Sequence, residues 1–371
     1  MNRPLYNKVV VKIGSALLTD NGKGIDHKMI ANWVSQIAAL RALSVDIVLV
    51  SSGAIVEGIK RLGLKSRPTN ISQLQAVAAV GQMGLAQAYE DCFKEHGLHC
   101  AQVLLTHDDL ANRQRYLNAR STLRTLLSFG AIPVVNENDT VSNEEIRFGD
   151  NDTLGALVSN LIEADLLIIL TDQTGLYDSN PALNASARLI QKADANDPVL
   201  MTYAGPSGGN LGRGGMQTKV SAAQLAARSG THTVIASGKH EKVISQLVEG
   251  VAIGSFLEAR EGHLAARKQW LAGHMRCRGK LHLDDGAVTV LLNKNASLLP
   301  VGVNNVSGNF SRGEVVSCVD SNGTEVARGL VNYSSVESIK IMGQSSLDVP
   351  EILGYDDAPE LINRENLVIT K

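Results

Sequence analysis

The sequence predicts an α/β protein: a three-layer αβα sandwich on a mostly parallel sheet, followed by a small β-rich C-terminal domain. Three observations lead there. Over the first two-thirds of the chain, short apolar runs alternate with long amphipathic stretches, as repeated strand–helix–strand units require. Runs such as Leu166–Leu170 (LLIIL) show no polar alternation, which is expected of parallel strands covered on both faces. Near residue 270 the helical periodicity fades and closely spaced turn signals take over.

In chain order, Val9–Ile13, Ile47–Val50, Val103–Leu105, Ile132–Val135, Leu166–Leu170 and Thr233–Ala236 read as buried strands. Between them Lys28–Leu43, Ser72–His96, Tyr116–Ser128, Asp152–Ala164 and Met216–Ser229 read as helices. The clearest helix signal is Leu154, Leu157, Val158, Leu161 and Ile162, spaced i, i+3, i+4, i+7, i+8. A charged linker follows at 261–276. Beyond it, turn signals at Asp285-Gly286, Asn304 to Gly308 and Asn322-Gly323 separate short strand candidates such as Ala287–Leu292 and Glu314–Val319. The expected organisation is therefore a domain over 1–260, the linker 261–276, a β-rich domain over 277–355 and a polar tail over 356–371.

Length and composition agree with two domains: the chain has 371 residues, of which 44% are apolar. Its 35 Lys and Arg against 37 Asp and Glu leave a formal charge of −2, so no global basic field attracts nucleic acid or anionic lipid. No apolar run approaches the ~18 residues that span a bilayer, and Met1 to Tyr6 lacks a signal-peptide core. Cys92, Cys100, Cys277 and Cys318 show no C-x-x-C spacing, so neither a zinc site nor a disulfide framework is indicated. These readings leave a soluble, cytoplasmic protein as the expectation.

In open α/β sheets ligands bind beyond the carboxyl ends of the strands. Four such ends carry Gly, hydroxyl, amide or carboxylate groups: Lys12-Ile13-Gly14-Ser15, Ser51-Ser52-Gly53-Ala54, Asn136-Glu137-Asn138-Asp139 and Thr171-Asp172-Gln173. One polar strand end is ordinary turn chemistry; four together indicate a ligand cleft. Lys12 interrupts a strand that otherwise reads as buried, where an ammonium is costly without a partner. A lysine snorkelling to water is the plain alternative. Gly14 favours function, because its backbone can press close to an anion.

The Gly-rich run from Gly205 to Gly215 opens the helix beginning Met216-Gln217-Thr218-Lys219. It matches neither G-x-x-x-x-G-K-[ST] nor G-x-G-x-x-G. Its physics is still that of a phosphate cradle, with backbone donors at a helix N-terminus. Lys219 stands in the first turn, where the macrodipole disfavours a cation unless a polyphosphate reverses the sign. Gly149-Asp150-Asn151-Asp152-Thr153 opens the best helix, and an Asn or Asp cap accounts for one of its polar groups but not three. No H-E-x-x-H or histidine cluster appears. The chemistry points to lysine-rich phosphate handling without a covalent intermediate.

Taken in order, KIGS, VSSGAI, NENDTV, FGDNDTLGALV, TDQTGLY and LGRGGMQTK resemble the glutamate 5-kinase branch of the amino acid kinase family. SLLPVGV and GNFSRGEVV resemble the PUA domain that many bacterial members carry. The resemblance covers nearly the whole chain. It implies the amino acid kinase fold and ATP-dependent phosphorylation of the γ-carboxylate of L-glutamate, the first step of proline biosynthesis, with Mg²⁺. Carried over by position, Lys12 and Lys219 would contact the transferring phosphoryl group and Asp152 would organise them. Ser52, Asp139 and Asn151 would bind glutamate. Lys12, Thr171, Asp172, Arg213, Gly214, Gly215, Met216, Gln217, Thr218 and Lys219 would line the nucleotide site. No protein ligand for Mg²⁺ is assigned; ATP's phosphates are expected to hold it. Family members often carry Thr where this chain has Arg213. The resemblance also implies feedback inhibition by proline, hand-off of product to glutamyl phosphate reductase, and a homodimer or homotetramer.

The elementary chemistry fits this reading. A γ-carboxylate with a pKa near ~4.3 is already an anionic nucleophile at neutral pH, so no general base is required. The obstacle is repulsion between that carboxylate and ATP, which positive charge and in-line positioning must offset. Asp139 can pair with an α-ammonium group. Two alternatives remain open: another member of the family, such as an acetylglutamate or aspartate kinase, or an RNA-binding regulatory protein acting through the PUA-like domain. Against the second, Cys277 to Lys371 holds eight Lys and Arg but twelve Asp and Glu, a poor balance for a phosphate backbone.

Overall fold

The computed structural model describes residues 3–19, 24–142, 151–205, 215–260, 277–294, 296–355 and 358–370. They form two compact units, one of residues 3–111 and 118–260, the other of 112–117 with 277–370. The linker expected at 261–276 lies outside the described residues.

The first unit is built on an eight-stranded sheet. Its strands are β1 (Lys8–Ile13), β2 (Asp46–Ser51), β3 (Cys100–Leu105), β4 (Ile132–Glu137), β5 (Leu166–Thr171), β6 (Lys192–Asp194), β7 (His232–Ser237) and β8 (Ser255–Glu258). They lie in the order β3-β4-β2-β1-β5-β7-β8-β6. Every neighbouring pair is parallel except β7 with β8. All six strand candidates lie within these elements. The sequence reading lacked β6 and β8, which are only three and four residues long and leave little room for a periodic signal.

Helices cover both faces. Val9, Val11 and Ile13 of β1, with Ile47, Leu49, Ile168 and Leu170, share one core with α1 (His27–Arg41) and α3 (Ile71–Lys94). Between those helices in sequence lies α2 (Ala54–Arg61). The opposite face, which includes Lys12, carries α5 (Asn151–Ile162) and α6 (Met216–Ala227); α4 (Arg113–Ser128) precedes them in the chain. Burial of both faces explains why these strands read as unbroken apolar runs. α1 starts where Asp26 accepts the N–H groups of Lys28 and Met29, both at 3.1 Å, an ordinary carboxylate cap.

α2 and α3 meet along a glycine seam. A Cβ on Gly58 would lie 1.9 Å from the carbonyl oxygen of Val77, and one on Gly81 would lie 1.8 Å from that of Ala54. Only glycine permits this approach. It fixes α3, and the polar side chains it carries, against the segment that follows β2.

The second unit is a five-stranded sheet of β9 (Gly279–Leu283), β10 (Val303–Gly308), β11 (Val315–Val319), β12 (Glu325–Leu330) and β13 (Leu367–Ile369), ordered β10-β9-β11-β12-β13. Asn322-Gly323 does close a turn, with Gly323 at φ 78° between β11 and β12. Three expectations are corrected. Ala287–Leu292 is part of a helix, Asp285–Lys294. Asp284 accepts the Ala287 N–H at 2.6 Å, so its neighbour Asp285-Gly286 begins a helix rather than a turn. Asn304 to Gly308 is strand, because Val303 and Val306 alternate inward and pair with β9 through a bulge. The polar tail joins the fold: Leu361 and Ile362 are fully buried, and β13 pairs with β12. Five apolar residues among the carboxylates supply that anchor, a weak signal that composition hides.

Candidate active site

The carboxyl ends of β1, β2, β4 and β5 lie side by side. Register places Ile13 beside Ser51 and Leu170, and Val50 beside Val135. The chain runs outward from β1 to β2 on one side and returns to β5 on the other, so the crevice opens at a switch point of the sheet.

Lys12 is the last but one residue of β1 and lies beneath α5. Gly155 of that helix leaves room for it: a Cβ there would meet the Lys12 Cβ at 3.4 Å. At the first turn of α5, fully buried Asp152 receives Lys12 Nζ at 2.6 Å on Oδ1 and Lys219 Nζ at 3.1 Å on Oδ2. Thr218 Oγ1 lies 2.7 Å from the same Oδ2 and 2.8 Å from the Gly215 carbonyl. Burial alone would raise the Asp152 pKa, but the two ammonium groups outweigh it and hold the carboxyl at about 2. For Lys219 burial is the larger effect and pulls its pKa down, against the raising influence of Asp152. One carboxylate between two cations leaves a buried, net positive cluster where the end of β1 meets the first turns of α5 and α6. Such a cluster suits a polyanion whose charge shifts during reaction.

The residue before Asp152 serves the other half of the crevice. Asn151 is fully buried, and its Nδ2 lies 2.9 Å from Ser52 Oγ, 3.0 Å from Asn136 Oδ1 and 3.2 Å from the Ser51 carbonyl. Ser51 Oγ in turn meets Tyr89 OH of α3 at 3.0 Å. Gly53 turns the chain with φ 101°, a left-handed conformation that glycine adopts without strain. Asp139 is only 6% exposed, and its Oδ1 has no hydrogen-bond partner among the described residues. Burial and the neighbouring Glu137 carboxylate push its pKa up to about 7, against the lowering influence of Arg67. A desolvated carboxylate in this condition is stabilised by any cation that enters beside it.

Toward the far side of the crevice, Thr171 Oγ1 donates to Asp172 Oδ1 at 3.0 Å, and the Thr171 carbonyl accepts the Gly238 N–H at 2.9 Å. Gly215 stands just before α6, and Met216, Gln217, Thr218 and Lys219 form its first turn. Arg213 and Gly214 lie outside the described residues. Asn151 and Asp152 are not caps, as the sequence allowed for one of them, but helical residues of the first turn with both side chains buried.

The profile of the amino acid kinase family matches residues 7–237, which contain β1 to β7 and both lysines. The chain belongs to the amino acid kinase family. A PUA domain profile matches residues 279–353 in the second unit. Among curated relatives, the glutamate 5-kinase of Pseudomonas savastanoi pv. phaseolicola is 60% identical over 97% of this chain and 98% of its own. That of Pseudomonas entomophila is 59% identical over 97% of each chain.

Within this amino acid kinase, the structure gathers Lys12, Asp152, Thr218 and Lys219 into one cluster and Ser52 with Asn151 into another, joined by the peptide bond between Asn151 and Asp152. Thr171 and Asp172 bond to each other rather than to the lysines, although the Asp172 charge acts on Lys219. Two members of the second cluster were missed. Asn136 stood in a strand end already singled out, where its position beside Ser51 in the sheet was the available signal. Gln82, whose Oε1 accepts the Asn136 Nδ2 donor at 2.7 Å, had none: it sits in an Ala- and Gly-rich helix stretch whose inward face only the glycine seam reveals.

Proposed function

We propose that this chain transfers the γ-phosphoryl group of ATP to the γ-carboxylate of L-glutamate, giving γ-glutamyl phosphate and ADP, the first step of proline synthesis. The observation that carries the reading is the Lys12–Asp152–Lys219 cluster next in sequence and space to the Ser52–Asn151 pair, together with Asp139 just past the end of β4, a buried carboxylate whose Oδ1 has no hydrogen-bond partner among the described residues. The lysines offset repulsion between the acceptor carboxylate and the phosphates, and they stabilise charge on the oxygens of the moving phosphoryl group. Asp152 holds their ammonium groups in place throughout. Asp139 takes the α-ammonium of the amino acid, which lowers its own pKa as the pair forms. The acceptor oxygen attacks as an anion, so the site's want of a general base is no obstacle.

Thr171, Asp172, Gly215 to Lys219, and the adjoining Arg213 and Gly214 receive the nucleotide in this reading. Among the described residues no group of three or more His, Cys, Asp or Glu converges as a metal site. In this reading Mg²⁺ would come with the ATP phosphates, whose charge it would help neutralise. The unit over 1–260 is taken as the catalytic domain. Proline feedback, assembly as a dimer or tetramer, and delivery of the product to glutamyl phosphate reductase complete the proposal. The last has a chemical reason, because an acyl phosphate is prone to hydrolysis. No helix among the described residues is long and apolar enough to cross a membrane.

The test is trapping of the product. With hydroxylamine present, L-glutamate, ATP and Mg²⁺ should yield a hydroxamate and ADP. ADP release without hydroxamate would assign the phosphoryl group to another acceptor.

A further inference from the structure

The segment that follows β7 is held at both ends by side chains of α1. Trp33 is fully buried, and its Nε1 donates to the Gly238 carbonyl at 3.1 Å, across 205 positions of sequence. Three residues on, and so on the same face of the helix, buried Gln36 reaches the other end of the segment. Its Oε1 accepts the Ile244 N–H at 2.9 Å and the Ser245 N–H at 3.3 Å. Those donors belong to the first turn of a short helix, Val243–Val248, whose N-cap residue Lys242 makes no side-chain cap. Gln36 therefore satisfies two N–H groups that the helix cannot satisfy itself. Trp33 shares one core with Ile37, Leu40, Ala236, Val243 and Ile244, so a polar group here depends on such partners.

Gly238 is where this clamp meets the crevice. Its N–H donates to the Thr171 carbonyl at 2.9 Å, one step beyond the pairing of Thr171 with Ser237 that ends the β5–β7 register. A Cβ on Gly238 would lie 2.4 Å from Leu17 Cδ1, in the helical turn Ser15–Leu18 that follows Gly14. The exits of β1, β5 and β7 thus converge on a residue that has no room for a side chain. We infer that Trp33 and Gln36 are positioning residues for the nucleotide: they pin the segment after β7 and, through Gly238, hold the Thr171–Asp172 strand end where ATP is received. This rests on the nucleotide placement proposed above and extends it to two residues buried beneath the sheet's carboxyl end. Without the indole donor the Gly238 carbonyl is left unsatisfied in a buried place, so the segment shifts toward water and the bond to Thr171 weakens. The clamp's bonds lead to β5 and β7, on the other side of β1 from β2 and β4. The acceptor half should be indifferent to it.

Trp33→Phe keeps an aromatic ring and removes the donor; Gln36→Leu keeps the bulk and removes the acceptor. Ile37→Val trims the same helix and the same core while leaving both bonds in place, and thermal melting checks that each variant is folded. Trp33→Phe and Gln36→Leu should each raise the KM for ATP, and the Kd of ADP measured by calorimetry, about fivefold or more, the effect of roughly one lost buried hydrogen bond. Their kcat and KM for L-glutamate should stay within about twofold of the wild type, and Ile37→Val should match the wild type in all four values. Should Trp33→Phe not fold, Gln36→Leu alone decides. Unchanged ATP and ADP values in a folded variant, or an equal rise in Ile37→Val, would reduce these side chains to core packing and overturn the positioning role while the kinase reading stands. A wild-type protein that does not bind ADP would overturn the nucleotide placement and this inference with it.

Discussion

Asp152 is the residue on which the lysine half of the site depends, since its carboxylate pairs with Lys12 at 2.6 Å and with Lys219 at 3.1 Å. Lys12→Ala and Lys219→Ala should each lower kcat by about a hundredfold or more, because their charge matters most while the phosphoryl group moves. The KM for glutamate should change little, and steady-state kinetics on the two variants separates the effects. An unchanged kcat would make the lysine a strand-end or helix-end residue. Asp139 gives a pH signature. Its folded pKa of about 7 lies above its ordinary 3.8, so the folded protein holds a proton that the unfolded chain has lost between those values. Its contribution to stability is complete below pH 3.8 and declines as pH rises through 7. Asp139→Asn should accordingly melt higher than the wild type at pH 8, with the gap closing toward pH 4, while its KM for glutamate rises strongly. A variant that melts lower than the wild type at pH 8 would show the carboxylate paired in the folded protein. At this scale the sequence was informative wherever a residue broke its own pattern. Lys12 in an apolar strand and the surplus carboxylates before Leu154 were visible for that reason. Asn136 and Gln82 broke no pattern, since their meaning lies in a contact between strands and helices distant in sequence.

Among the elements, α5 is the one that joins both halves, and its periodicity made it the easiest to foresee. α2 was not foreseen: it is only eight residues long, and Gly58 within it serves close approach to α3, which sequence periodicity does not record. Gly81→Ala tests that approach. Its Cβ would stand 1.8 Å from the Ala54 carbonyl oxygen, so α3 must move away from α2, at about 1–3 kcal/mol or more. Denaturant unfolding should register the loss, and the KM for glutamate should rise because α2 begins directly after Ser52 and Gly53. Normal stability would mean the two helices have slack the structure does not show. In the second unit, Ala287–Leu292 misled by its β-branched residues, since Val288 and Leu291 face the core at helical spacing. Local propensity yielded there to the Asp284 cap. The last strand was hidden because Leu367–Ile369 is too short to stand out from a polar segment.

For the whole molecule, the fold class was legible because covered parallel strands and helix-length gaps leave a plain record in the sequence. The expected boundaries near 260 and 277 remain a proposal, and truncation examines it. A chain ending after Arg276 should fold and keep substantial kinase activity, since every proposed site residue precedes that point. The isolated remainder, with twelve Asp and Glu against eight Lys and Arg, should show no salt-sensitive RNA binding. A truncated protein that is folded by circular dichroism yet inactive would make the second unit part of the catalytic assembly. The central claim is that this crevice phosphorylates an amino acid carboxylate recognised by its free ammonium group. Hydroxamate formation compared across L-glutamate, N-acetylglutamate, aspartate and UMP, with ADP release measured alongside, tests it most directly. The account predicts strong product from L-glutamate and scarcely any from N-acetylglutamate, whose acetyl group removes the charge that Asp139 pairs. Equal rates with the two would contradict it.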